Sequence, residues 1–392
     1  MEKTIIKKPF PIWALISLSS AYFIAGTSSL SVIGLTWQIS AGLDVAPADI
    51  AFLVTVFALT FAIAAPLTQV VFSQVARIKI LCAGLLVLAI GLVFGAVSTS
   101  YEMLFLSRGL MGLGAASISP MCSAIGAGLA PPDKQGRAMG IVFAGLTFAS
   151  VLGVPLSAYL GTLIDWRMVF LLLALCAILS MAAVLILVRD RQIGAHISFG
   201  NLLEAFTDKR SSMTILTTFL QMTSIFCTYA LIAPFMTHKF GLAEQLIAVV
   251  MLVYGVNGVL GNIIAGRLSD RFGSTRVILL SLSGLGTAFF ILWVIGASLP
   301  LAFVGIACWS LFGMMFHSPQ QQRIANIAPE RRSLLLALNA AALYLGISVG
   351  SWISHFVFVR FGFEILPAVS LSVLVLCLVI FSLSVYPGRK TT

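Results

Sequence analysis

Residues 248–278, AVVMLVYGVNGVLGNIIAGRLSDRFGSTRVI, decide the fold. An apolar stretch long enough to cross a hydrocarbon core, at about 1.5 Å per helical residue, runs into a short basic loop. That loop carries Gly266-Arg267-Leu268-Ser269-Asp270-Arg271-Phe272-Gly273 and then Arg276. About 197 residues upstream, Ala51 to Leu81 (AFLVTVFALTFAIAAPLTQVVFSQVARIKIL) follows the same plan. Its loop is degraded to Gln69, Ser73, Gln74 and Ala76 and keeps only Arg77 and Lys79. Pro120 and Pro319 are near counterparts, and Ala130-Pro131 and Ala328-Pro329 close the corresponding spans alike. Such a duplication is how many secondary transporters are built, with the solute site between the halves near mid-membrane.

Composition agrees with a chain that lives in lipid. It is 60% hydrophobic and 9% charged over 392 residues, with too little charge to cover a soluble surface. Apolar runs are expected to span at 12–36, 48–72, 78–98, 101–128, 138–162, 167–188, 212–236, 245–266, 277–297, 300–322, 333–358 and 364–385. The first is too long for a signal peptide and lacks a small-residue cleavage pattern, so it counts as a span. The polar interval Arg189–Ser211 divides six spans from six. It gives a first bundle over 1–190, a cytoplasmic linker over 191–211 and a second bundle over 212–392.

The net charge of +10 raises the question of nucleic acid, and its distribution answers it. With the N-terminus inside, nineteen Lys and Arg fall on one side. Arg167, Lys239 and Arg360 fall on the other, and Arg108 lies within a span. That asymmetry is topogenic and places both termini in the cytoplasm of a multi-pass cell (inner) membrane protein. The partners expected are lipid, a small-molecule solute and protons, with no nucleic acid and a monomeric chain. The six cysteines all lie in expected spans without metal-ligand spacing and read as packed apolar thiols, so neither metal nor cofactor is expected.

Three motifs carry a resemblance to a known family. The Gly266–Gly273 loop with Arg276 is similar to the signature loop of the major facilitator superfamily. Arg108-Gly-Leu-Met-Gly112-Leu-Gly114-Ala-Ala matches in span four. Gly145, Gly153-Val-Pro155 and Gly161 match in span five, followed by Trp166-Arg167 and Phe170. Together they resemble the twelve-span drug:proton antiporter branch. Ser73-Gln-Val…Arg77, Tyr229-Ala…Ala233-Pro-Phe235 and Pro319-Gln-Gln…Ile327-Ala-Pro329 narrow the likeness to bacterial sugar, purine and chloramphenicol exporters. The resemblance implies an all-α membrane protein of two pseudo-symmetric six-helix bundles, with no enzymatic activity. It implies export of a small organic solute by alternating access, with drug resistance as one outcome. Uptake by symport or uniport of the same fold is the alternative. An integral-membrane enzyme would need clustered acids, histidines or a metal site at one face, and none is visible.

The same residues suggest roles. Asp270, at the mouth, could face a helix N-terminus of the other half, where partial positive charge favours an anion by about 0.3–1 kcal/mol. Arg271 and Arg276 could bond acids or free carbonyls nearby. Gly266, Asp270, Arg271, Gly273 and Arg276 thus read as a latch for the outward-open state, or as a topogenic turn. Gly145, Gly153 and Gly161 allow close helix approach and Pro155 favours a bend, at the interface between halves or in ordinary packing. Arg108 would cost roughly 2.5–3.5 kcal/mol if it faced lipid, so a cavity or a polar partner is expected.

All thirteen acids lie outside the expected span cores. Related exporters carry an acid in span one, where this chain has Ser29, which removes the usual proton carrier. His317 and His355, or Asp49 and Glu102 at the outer vestibule, are the candidate carriers, with uniport or coupling through an ionisable solute as alternatives. Thr27, Ser29, Arg108, Gln221, Tyr229, Asn257, Trp309, His317, Gln320 and Asn339 are the candidates for solute contact or for helix–helix hydrogen bonding.

Overall fold

In lipid every backbone N–H and C=O must be paired within the chain, so an apolar sequence without barrel alternation has to be helical. The computed structural model describes residues 10–130, 134–190, 192, 208–327 and 332–385. Helices α1 (Ile12–Gly34), α2 (Thr36–Leu43), α3 (Ile50–Val71), α4 (Arg77–Ala96), α5 (Tyr101–Leu129), α6 (Gln135–Phe148), α7 (Val154–Leu163) and α8 (Trp166–Leu187) precede the linker. After it come α9 (Lys209–Tyr229), α10 (Ile232–Phe240), α11 (Ile247–Phe272), α12 (Ser274–Val294), α13 (Leu299–Met314), α14 (His317–Ile327), α15 (Arg332–Phe361) and α16 (Leu366–Val385). These supply eleven candidate spans, and a twelfth when α9 and α10, bent by 48°, are taken together. Of the expected linker 191–211, only Gln192 and residues 208–211 are described. Both chain ends fall outside the described residues.

Three expected spans are interrupted, each for a local reason. Pro319 has no N–H for the carbonyl of Met315, and the tenth span breaks at Met315–Phe316, between α13 and α14. Pro234 stands in the same relation to Ala230, where α9 gives way to α10. In the first span the Thr36 hydroxyl donates to the carbonyls of Ile33 (2.8 Å) and Val32 (3.3 Å), and the helix turns at Leu35. The fifth span is continuous but carries a π-helical turn, Ala149–Gly153, just ahead of Pro155. Pro120, the counterpart of Pro319, leaves α5 unbroken.

Each half packs on itself first. In the first, α4 lies along α5 and α8, α3 along α5, and α1 along α6; in the second, α9 lies along α15 and α16, and α13 along α11 and α12. Large apolar side chains such as Ile186 (75% exposed) and Leu163 (62%) point away from the protein, as a lipid-facing surface requires. Two of the three cations expected outside do local work: Arg167 donates to the Ser98 carbonyl, and Lys239 Nζ to the carbonyls of Leu292 (2.8 Å) and Trp293 (3.0 Å) at the end of α12.

The halves meet along two helix pairs, α3 with α15, and α11 with the π turn and α7. The fifth span borders this interface, and its three glycines face the other way, into their own half. Added Cβ atoms at Gly145, Gly153 and Gly161 would meet Ser19, Thr27 and Leu35, all of the first span. The close approach across the seam comes from Gly255 of α11, which rests on the backbone of Ser150 and Val151 in the π turn.

Candidate functional site

The seam is sealed from one side. At the face opposite the basic loops, His355 of α15 reaches the turn before α3: its Nδ1 lies 3.2 Å from the Ala48 carbonyl oxygen and 3.7 Å from Asp49 Oδ1. Its ring sits 4.2 Å from that of Phe52. Deeper along the same pair, Ser348 Oγ donates to the Thr55 carbonyl at 3.1 Å, and Phe61 stacks on Tyr344 with centroids 3.5 Å apart. On the far edge of that face Trp37 meets His238 at 5.8 Å. Towards the basic face the seam lacks such ties among the described residues. Among the described residues α5 and α6 make no comparable packing with the second half, and no hydrogen bond or ion pair crosses the seam there.

In the first half Arg108 is fully buried. Its Nε donates to the Leu53 carbonyl (3.1 Å), and its two terminal nitrogens to those of Ser28 (2.6 Å) and Ser29 (2.7 Å). The guanidinium also lies 4.4 Å from the centre of the Phe57 ring. No carboxylate pairs with it among the described residues. Three carbonyl dipoles and an aromatic face stand in for a counter-ion, and the fork ties α5 to α1 and α3. In this state it offers no surface to a solute. Thr27 is also buried, against Gly153 with its hydroxyl unpartnered, and Ser29 is buried beside it.

The second half holds an amide–hydroxyl network. Thr218 Oγ1 donates to Asn339 Oδ1 at 2.6 Å, and Gln320 Nε2 reaches the Thr214 carbonyl (2.7 Å) and Thr218 Oγ1 (3.0 Å). Gln221 Nε2 donates to the Gly313 carbonyl at 3.1 Å. The side-chain oxygens of Gln221 and Gln320 are left without donors. Tyr229 and Trp309, expected at the cavity, instead form an aromatic core with Tyr254 and Phe289, and Tyr229 to Tyr254 is 4.5 Å. Only His317 and Asn257 among the expected solute contacts retain partial exposure mid-span. Asn257 spends one donor on its own Val253 carbonyl (2.9 Å), whereas His317, at the start of α14, has no hydrogen-bond partner among the described residues.

At the basic face Asp270, Arg271 and Arg276 are exposed. Asp270 makes no ion pair or hydrogen bond among the described residues, and Arg271 lies over its neighbour Phe272. Gly273 closes α11 at φ 83°, a conformation that other residues adopt at a cost. Gly266 faces open space. Glu102 is exposed in the first turn of α5, away from the seam contacts. A shallow depression lined by Val375, Leu378, Val379, Ser382 and Leu383 lies on α16 and is almost wholly apolar, unlike a solute pocket. Sequence reasoning missed Thr55, Phe61, Thr218, Gly255, Tyr344 and Ser348. Of these only Thr218 had a visible signal, the run of hydroxyl residues along the seventh span.

The family model of the Major Facilitator Superfamily matches residues 18–211 and 214–392, nearly the whole chain. The chain belongs to the major facilitator superfamily. Its relatives include the inner membrane transport protein YdhP of Escherichia coli, 28% identical over 86% of this chain and 87% of that protein. A chloramphenicol resistance protein of Streptomyces lividans is 30% identical over 67% of each chain. Among solved structures, a D-xylose-proton symporter superposes with a TM-score of 0.80 at 15% identity, covering 98% of this chain and 99% of the other. The nucleoside transporter NupG gives 0.78 at 14% identity, covering 96% and 100%. At such identities the likeness is one of fold. This superfamily member is therefore a multi-pass, secondary-active membrane transporter and not an enzyme.

Proposed function

We propose that this transporter exports a small organic solute across the cell (inner) membrane by alternating access, in exchange for protons and as a monomer. On this reading both termini and the linker 191–211 lie in the cytoplasm, and the linker joins halves spanning 1–190 and 212–392. The observation that carries the reading is the one-sided seam: shut at His355, Thr55 and Tyr344, and unsealed at the basic face. With the basic face inside, this is an inward-facing state. The solute enters between the partly exposed His317 and Asn257 and the rim of the Asn339–Gln320 network, a few polar groups placed in an apolar setting.

The free Asp270 belongs to the same reading. A latch for the outward-open state is disengaged when the mouth on its own side is open, and Asp270, Arg271 and Arg276 are all exposed here. Export, rather than uptake, is supported by the chloramphenicol resistance relative. Purified protein in liposomes with a pyranine reporter tests the proposal. Addition of chloramphenicol, purine nucleosides or sugars is expected to move protons for one class and not the others. Solute flux indifferent to the pH gradient would remove antiport, and accumulation in energised cells would reverse the direction.

A further inference from the structure

The chain has four histidines, and two of them, His238 and His355, stand where the halves touch at the outer rim. His355 is the more informative. It comes from the second half, and its three partners, the Ala48 carbonyl, the Asp49 carboxylate and the Phe52 ring, come from the first. Among the described residues, His355 with Asp49 is the one ion pair that crosses the seam. The side chains are 15% and 35% exposed, so water at the outer rim can deliver a proton to them while the mouth is shut.

We propose that His355 and Asp49 form a proton site that is assembled only when the outer mouth closes. The inference rests on the alternating-access reading and gives the outer gate a proton sensor, which loads from the outer side and returns its proton there when the mouth opens. A neutral imidazole protonated on Nδ1 donates to the Ala48 carbonyl alone. The imidazolium keeps that bond and adds attraction to the Asp49 carboxylate across the seam. Opening the mouth carries α15 away from α3 and removes that attraction. By linkage, closure then favours proton binding and proton binding favours closure by the same factor. By that linkage closure is favoured as the pH falls.

The surroundings hold few competitors. The Tyr101 hydroxyl of α5 donates to the Asp49 backbone carbonyl at 2.9 Å, and Glu102 beside it points to solvent. On α15 itself, Phe356 packs edge-on against the ring, and Arg360 is exposed in the last turn. No cation touches Asp49 other than His355 among the described residues.

Spin labels at Thr99→Cys and Ala297→Cys, one on each half's outer loop, read the gate without solute. The background replaces the accessible Cys82, Cys176 and Cys308 by serine. In nanodiscs between pH 5.5 and 8, the short-distance population is expected to gain about 5-fold or more over the long one as the pH falls. H355Q keeps a donor for Ala48 and cannot titrate, so its distribution should ignore pH. D49N should cut the response of the intact histidine and provides a second reading if H355Q does not fold. A wild-type distribution that does not move, or an H355Q response equal to wild type, overturns the site. The antiport reading fails separately: a pH-gated mouth with solute flux blind to the gradient keeps the site and discards antiport, and the reverse pattern does the opposite.

Discussion

Replacing Gly255 by alanine should open the outer mouth without unfolding the protein. A Cβ there would collide with the Ser150 carbonyl oxygen and lie 2.8 Å from Val151 Cα and 2.9 Å from Ser150 C. All three atoms are backbone and belong to the opposite half, so no rotamer relieves the clash and the halves must part. Inserting a methyl group into a tight contact of this kind costs typically 1–3 kcal/mol. Under the proposed alternating access the contact parts when the outer mouth opens, so that cost falls on the closed-seam state. The populations should shift about 5- to 150-fold towards the outward-open state. Hydrogen exchange in nanodiscs is the assay. Amides of residues 48–56 and 348–357 should exchange faster in the variant, while those within α4, α5 and α9 remain unchanged. Gly140→Ala in α6, where a Cβ meets nothing within 4 Å, is the control and should gain about 0.8–1.0 kcal/mol of helix stability. Seam exchange identical to wild type would refute the argument. So would a uniform rise across the second half, which would mark a folding defect instead.

Other substitutions test the remaining contacts. Arg108→Lys presents one ammonium to three carbonyls set for a fork, and should lose at least one charged hydrogen bond, about 1.5–3 kcal/mol, seen as a lower melting temperature in detergent. Gly153→Ala drives a methyl into Thr27; adding Thr27→Ala should restore most of the loss, whereas additive melting shifts would show that the two side chains are independent. Asp208 caps α9 by accepting from the Ser211 hydroxyl (2.5 Å) and the amide of Ser211 (2.9 Å), and the hydroxyl bond holds its carboxyl below the usual range. The cap therefore stabilises above the ordinary aspartate range and fades as the pH falls through it. Asp208→Ala should cost about 0.5–2 kcal/mol at pH 7 and progressively less below about pH 4.

The spans were legible because the bilayer leaves a sequence little choice: apolar length, basic loops and a repeat at half the chain suffice. The breaks at Ala230 and Met315 were also within reach, since each stands four residues before a proline. Pro120 shows why such reasoning is incomplete, because α5 carries it without breaking. The side-chain placements were harder to foresee. Arg108 was expected at a cavity or a partner, and nothing in its motif says that the partners are three carbonyls. Tyr229 and Trp309 look like cavity aromatics in a list, yet they pack together with Tyr254 because their facing helices, α9, α11 and α13, meet there. The seam residues Thr55, Ser348 and Tyr344 are ordinary on their own helices. They acquire meaning from pairing across 293 positions, as Thr55 and Ser348 do, and one sequence carries no signal of that pairing.

The central claim is that the halves rock against one another, parting the α3–α15 and α7–α11 contacts as the basic side closes, so that the two mouths are never open together. Single-molecule energy transfer tests it with one dye pair across the outer rim, Thr99→Cys with Ala297→Cys, and another across the basic rim, Lys79→Cys with Phe272→Cys. Recorded over the same pH and solute series, the outer distance should lengthen whenever the basic one shortens. Distances that stay fixed, or lengthen together, would contradict a rocking mechanism for this chain.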